Sequence, residues 1–195
     1  MAGIPLEVPL ADRYNIGSPD VVDREQKEPT NRLEKIKDLF GQRGTVTTIR
    51  GIFLLLVHGH PHVLFLKKRN KLILPGGIAQ PGQADEDNLR DCLQRKLWVD
   101  GLQINSSPLA IWYRPQFTDF IYPYLPVHIT EAKEIEIWYP IILPPEGRII
   151  VASQYDDCSA ISFYDLQNGA AEYGNQFASI PLLFSRYQII PKEQQ

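Results

Sequence analysis

The side chains able to do chemistry crowd into one stretch of this sequence. Leu74-Pro75-Gly76-Gly77 makes a tight turn, Pro81-Gly82 closes the loop behind it, and a run from Asp85 to Val99 follows. That run carries the carboxylates Asp85, Glu86, Asp87 and Asp91, the thiol Cys92, and the cations Arg95 and Lys96. Carboxylate oxygens are what a hard divalent cation takes. Acids in a first helical turn, however, are ordinarily favoured by the helix dipole on a solvated face, and that reading is preferred here. His58, His60 and His62 surround the Gly59 turn without a zinc-type spacing to any cysteine, so they are expected to be loop histidines that bind nothing. The basic block Lys67-Lys68-Arg69-Asn70-Lys71 stands directly before the glycine turn. It is either a charged hairpin tip or a phosphate contact.

The elements that position these groups follow from periodicity. Val63-Leu64-Phe65-Leu66 and Leu72-Ile73-Leu74 read as strand running into the Pro-Gly-Gly turn. Leu89, Cys92, Leu93 and Leu97 recur at helical spacing and form a buried stripe, with Asp85 able to cap the helix. This strand–glycine loop–helix unit resembles the Nudix box, Gly-x5-Glu-x7-Arg-Glu-U-x-Glu-Glu-x-Gly-U, where U is a large aliphatic residue. Gly77, Leu93 and Val99 keep the frame. Gln83 stands at the loop glutamate, Asp91 and Cys92 at the Arg-Glu pair, Arg95 and Lys96 at the final Glu-Glu, and Trp98 at the glycine. The resemblance implies that helix glutamates hold divalent cations in active members. Here a dication about 5 Å from one of the substituted positive charges, at an effective dielectric of about 20, is repelled by roughly 6–7 kcal/mol. No metal and no cofactor are expected.

Composition bounds the rest. At 195 residues with 44% hydrophobic content, the chain suits one domain with a full-sized core. A net charge of −3 excludes a polycation, so any nucleic-acid contact has to be local. Cys92 and Cys158 are too few for a disulfide framework and point to reducing, intracellular conditions. No apolar run reaches the ~18–20 residues of a membrane span, and no basic-then-apolar leader opens the chain.

Residues 1–28 read as an extended arm with enough aliphatics to lie on the domain. Residues 30–40 read as an amphipathic helix capped by Thr30 or Asn31 and ended by Gly41 or Gly44, with Leu33, Ile36, Leu39 and Phe40 inward and Arg32, Lys35 and Lys37 on a solvated face. Thr45–Val57 is a long central strand. An aromatic- and proline-rich ordered loop follows Trp112. Ile135–Leu143 is a strand, and Arg148–Ala152 continues the sheet. Ile161–Asp165 is a short element, and Ser179–Ile190 is a final helix-like segment. The domain is expected over 29–190, with a polar tail over 191–195.

More than the box matches. Pro61-His62-Val63-Leu64, Arg114-Pro115-x-Phe117, Tyr122-Pro123-Tyr124-x-Pro126-x-His128-Ile129-Thr130, Tyr164-Asp165, Tyr173-Gly174, Pro181 and Ser185-Arg186-Tyr187 stand in one order. Over roughly residues 30–190 the chain resembles the small, Nudix-fold subunit of cleavage factor Im, which acts in eukaryotic pre-mRNA 3′-end processing. The resemblance implies a single α/β (α+β) domain with a mixed central sheet between helices, catalytically silent and homodimeric. It implies a nuclear protein that binds UGUA in single-stranded pre-mRNA and recruits a larger RRM-bearing subunit of the poly(A) machinery. It places RNA contacts at Arg32, at Tyr173 and Gly174, and along Lys71, Leu72 and Leu74. An acidic contact in the arm corresponds to Glu25. The family's base-stacking phenylalanine falls at Lys71 or Leu72, where no aromatic stands, and a base-pairing glutamate falls on Arg50. Loss of one stacking platform costs ~1–3 kcal/mol per base, and Glu→Arg exchanges acceptor for donor. RNA binding is therefore expected to be weaker or different in motif.

Two other readings remain. One is a dimeric scaffold that uses the aromatic-proline loop without recognising RNA. The other is an active hydrolase with displaced ligands.

Overall fold

The computed structural model describes residues 3–17, 31–69, 71–152 and 154–192, so Glu25 lies outside the described residues. In chain order the elements are β1 (Ile4–Val8), β2 (Tyr14–Gly17), α1 (Arg32–Arg43), β3 (Val46–Val57), β4 (His60–Lys68), β5 (Lys71–Ile73), β6 (Gly76–Ile78), α2 (Asp85–Gln94), β7 (Leu97–Val99), β8 (Gln103–Ile104), β9 (Ala110–Arg114) and β10 (Glu134–Ile142). They continue as β11 (Gly147–Val151), β12 (Asp157–Ser162), α3 (Phe163–Asn168), α4 (Ala170–Tyr173), α5 (Asn175–Ala178), α6 (Ile180–Leu183) and β13 (Tyr187–Pro191).

The β-branched and aliphatic run after Gly44 becomes β3, whose Ile52–Leu56 segment is buried on both faces. It is the middle of a mixed sheet in the order β12-β4-β3-β10-β8, with β5 on β4, β6 on β3 and β9 on β10. β3 and β10 run parallel, Val46 opposite Glu134 through Phe53 opposite Ile141. Side chains alternate across a sheet, so this register sorts them into two cores. One face carries Ile49, Phe53, Leu55, Tyr139 and Ile141 against Leu89 and Leu93 of α2. The other carries Ile52, Leu54, Phe65 and Trp138 against Leu166, Ile180 and Phe184 from α3, α6 and the turn beyond it. The fold is a single α+β domain with a mixed sheet between helical layers.

Several expectations change. The helix after Asp85 stops at Gln94, and Leu97–Val99 is a strand. Leu97 is buried either way, because a step of four from Leu93 fits both the helical period and the two-residue period of a strand. Ala84, not Asp85, holds the N-cap position, and the Asp85 carboxylate accepts from the Tyr139 hydroxyl at 2.7 Å. Gly147–Val151 does not continue the central sheet; it lies between β2 and β7 in a separate three-stranded sheet. The 179–190 segment is not one helix. Ile180 opens a one-turn helix with Pro181 in its first turn, a 3-10 turn follows, and Tyr187–Pro191 pairs in parallel with β1. Pro191 therefore belongs to a strand rather than to a tail. Ile161–Asp165 is divided between the end of β12 and the start of α3, which Ser162 caps through the Asp165 amide. Residues of the arm form β1 and β2, woven into two sheets.

Candidate nucleic-acid interface

Thr48 and Arg50 of β3 share a sheet face with Glu134 and Glu136 of β10, and with Trp112 and Arg114 of β9. Two carboxylates on a buried face require partners, and α1 supplies one. Asn31 caps α1 by accepting from the Leu33 amide. The first helical residue, Arg32, then reaches down to the sheet. Its guanidinium donates to both Glu134 oxygens, to Glu136 Oε2 at 3.1 Å and to Thr48 Oγ1 at 3.4 Å. Arg114 Nε donates to Glu134 Oε2 at 2.9 Å, and its Nη1 to the Thr118 carbonyl. Burial alone would raise the Glu134 carboxyl. The Arg32 charge and the hydrogen bonds from Thr48, Arg114 and Arg32 outweigh it and hold the group below the usual carboxylate value.

Glu136 is the second hub. It accepts from Trp138 Nε1 at 2.8 Å and Gln176 Nε2 at 3.1 Å, and Arg50 Nε lies 3.7 Å away. Arg50 also donates through Nη1 to the Leu74 carbonyl at 3.2 Å. Three guanidiniums meet two carboxylates, an excess of one positive charge. The Arg32 side chain stays 39% exposed while Glu134 is fully buried, so the cluster is anchored inside and opens to solvent through Arg32.

The structure brings Arg32, Arg50 and the Leu74 carbonyl into this cluster. It also places Gly174, with φ +84° between α4 and α5, two residues before the Gln176 contact. Tyr173 packs partly into the core of this face. Lys71 is exposed at the start of β5, and no described contact joins it to the cluster. Leu72 is half-buried against the core. Leu74 departs from expectation: its side chain is 2% exposed and its carbonyl is taken by Arg50, so neither faces a ligand. Nor is Arg32 a freely solvated surface residue. Sequence reading missed Glu134, Glu136, Arg114, Trp138 and Gln176. The alternation Glu134-Ile135-Glu136-Ile137 in a strand was the available signal, since it puts both acids on one face.

The glycine-loop unit lies beside this cluster. A Cβ on Gly77 would meet Cys92 Sγ at 2.9 Å, so the close packing of loop on helix requires glycine. Gln83 Nε2 donates to Asp91 Oδ2 at 2.8 Å, and Arg95 Nε to the Asp91 carbonyl at 3.1 Å. Lys96 Nζ donates to the Gly76 carbonyl. Desolvation first, then Arg50, with smaller contributions from Arg95 and Lys35 against an opposing one from Cys92, lowers the Lys96 amine to about 8. An ammonium in that space, with an amide, a thiol and a guanidinium around it, does not fit a divalent cation. Among the described residues, no group of three His, Cys, Asp or Glu is placed to hold a metal ion.

The aromatic-proline loop is ordered by Tyr113 and Tyr122 exchanging backbone hydrogen bonds at 2.7 and 2.9 Å, and by Phe117, which meets the Phe40 ring edge-on at 5.7 Å beneath the Lys133 ammonium. Phe120, Tyr124 and Val127 remain exposed at its tip. No helix among the described residues is long and apolar enough to cross a membrane.

Comparison with known proteins agrees with the fold. The model of the NUDIX_2 family, described as nucleotide hydrolase, matches residues 6–187. A cleavage and polyadenylation specificity factor subunit 5 from Dictyostelium discoideum is 33% identical over 91% of this chain and 90% of its own length. A pre-mRNA cleavage factor Im 25 kDa subunit 2 from Arabidopsis thaliana is 30% identical over 92% of each. Among solved structures, a possible asymmetric diadenosine tetraphosphate hydrolase from Jonesia denitrificans superposes with a TM-score of 0.54 at 13% identity, over 73% of this chain and 94% of that one, a likeness of fold alone. The chain thus belongs to the NUDIX_2 family and, within it, to the group of cleavage factor Im small subunits and cleavage and polyadenylation specificity factor subunit 5.

Proposed function

We propose that this protein is a non-catalytic, RNA-binding subunit of the nuclear machinery that cleaves and polyadenylates pre-mRNA. It binds single-stranded RNA carrying a UGUA-like element and acts as a homodimer with a larger, RRM-bearing subunit. The observation that carries this reading is the Arg32 guanidinium. It is fixed by Glu134, Glu136 and Thr48 yet keeps 39% of its side chain exposed. A pre-ordered guanidinium at the mouth of a charged cluster suits a phosphate or a base edge. The relatives named above support the pathway.

Two departures set the expected specificity. No aromatic stands at Lys71 or Leu72 to stack a base. Arg50 presents donors where the family pattern presents a carboxylate. The motif bound is therefore expected to be weaker than UGUA binding in the family, or shifted toward bases with acceptor edges.

The exposed tip formed by Phe120, Tyr124 and Val127 favours a second reading, a dimeric scaffold that docks proteins and leaves RNA to its partner. A fluorescence-anisotropy titration separates the two. Wild type and Arg32→Glu are each titrated with UGUA-containing and scrambled single-stranded RNA. RNA binding predicts that charge reversal weakens affinity at least about tenfold. Equal affinity of the two proteins supports the scaffold.

A further inference from the structure

Leu74, Pro75 and Gly76 are consecutive, and all three of their carbonyls carry a donor. Arg50 Nη1 reaches Leu74 at 3.2 Å, the Gly51 backbone N–H reaches Pro75 at 2.8 Å, and the Lys96 ammonium reaches Gly76. Two of these donors are cations, one from β3 and one from the turn after α2. Gly76 sits at φ +144°, and a Cβ there would collide with the Ile49 and Arg50 backbone. The carbonyl edge of the turn is therefore fully used, and the turn is pinned between β3 and the end of α2.

Lys96 is the unusual member. Long amines ordinarily extend to water, whereas this one turns inward onto a carbonyl. Its charged surroundings come from every element packed against it: Arg50 on β3, Arg95 beside it and Lys35 on α1 oppose its charge, and Cys92 on α2 favours it. A cation drawn out of water among cations is held at a cost. Among the described residues its hydrogen-bond partner is the carbonyl that fixes the turn.

We propose that Lys96 is a positioning residue for RNA: by tying the Gly76 carbonyl to the end of α2, it fixes the turn whose Leu74 carbonyl holds Arg50 beside Glu136, and so the way that guanidinium is presented to the nucleic acid. This rests on the RNA-binding reading above. The device depends on the charged form of the amine. That form predominates below about pH 8 and is lost as pH rises through that value; the neutral amine is the weaker donor.

The test uses the full chain, labelled with 15N at glycine, as wild type, Lys96→Met and Lys96→Arg. The Gly76 and Gly77 amide signals are followed by NMR between about pH 6.5 and about pH 9. Affinity for a short UGUA-containing RNA is read by anisotropy at about pH 7 and about pH 9, as the ratio of wild type to variant, so that proton loss from the bases cancels. The expected result is a titration of both glycine amides with a midpoint near 8 in wild type and none in Lys96→Met. Lys96→Met should bind RNA about 5–10-fold more weakly at pH 7, the difference shrinking at pH 9, while Lys96→Arg stays within about twofold of wild type at pH 7. Glycine amides that ignore both pH and Lys96→Met overturn the clamp. Amides that titrate, with wild type and Lys96→Met binding RNA equally well, overturn the positioning role. Amides that titrate while wild type itself binds no RNA overturn the RNA-binding reading and the positioning role with it, and leave the clamp standing.

Discussion

Glu134 has no exposed surface and accepts from Arg32, Thr48 and Arg114. It is the negative charge that allows two guanidiniums to approach the sheet. Removing one partner of a buried ion pair strands the other without water or counter-charge, at a cost of about 3–5 kcal/mol. Glu134→Ala is expected to lose that much stability in urea unfolding, because Arg114 is nearly as buried as the carboxylate it loses. Arg32 was legible in the sequence as a candidate contact but not as an ion-paired one. Its acidic partners lie about a hundred residues away in the chain, and pairing of that kind is fixed by the β3–β10 register, which no local pattern reveals. Leu74 shows the converse limit. A turn motif located it, yet burial, set by α3–α6 closing over the sheet, took its side chain out of reach.

At the scale of elements, α1 matters through its first residue. The Asn31 cap fixes where the helix begins, and so where the Arg32 guanidinium points. Asn31→Ala is expected to cost about 1 kcal/mol in chemical denaturation. It should also weaken RNA binding by a few fold in the same anisotropy assay, because fraying loosens the first turn first. Gly76 and Gly77, expected in a tight turn, lie in β6 against β3; β3, α1 and the body of α2 were readable because period and punctuation agreed. The end of α2 was not, since Leu93 and Leu97 satisfy both periods. The C-terminal strand was hidden for another reason. Tyr187–Pro191 pairs with Ile4–Val8 from the opposite end of the chain, and a parallel pair leaves no hairpin signature in the sequence. Likewise, the short helices α4 and α5, set off by Gly169 and Gly174, carry no helical period in the sequence, because each is one turn long and gains its stability from packing rather than propensity.

Taken whole, the molecule uses one sheet for two purposes. The face under α2 keeps the frame of a nucleotide-hydrolase fold, with Lys96 placed against the glycine turn. The other face carries the Arg32–Glu134–Glu136–Arg50 cluster beneath α1 and α5. Net charge is −3, so the proposed attraction to RNA has to come from this local excess rather than from the chain as a whole. The fold class was within reach of the sequence because the strand–glycine turn–helix unit is local. The composition of the interface was not, because it is assembled from α1, β3, β9, β10 and α5.

The most direct measurement is one native gel. Labelled single-stranded RNA bearing UGUA is incubated with the protein in magnesium and, in parallel, in a chelator. The expected result is a shifted, intact RNA band in both lanes, of equal strength. An unshifted RNA in both, or magnesium-dependent loss of the intact strand, would contradict it.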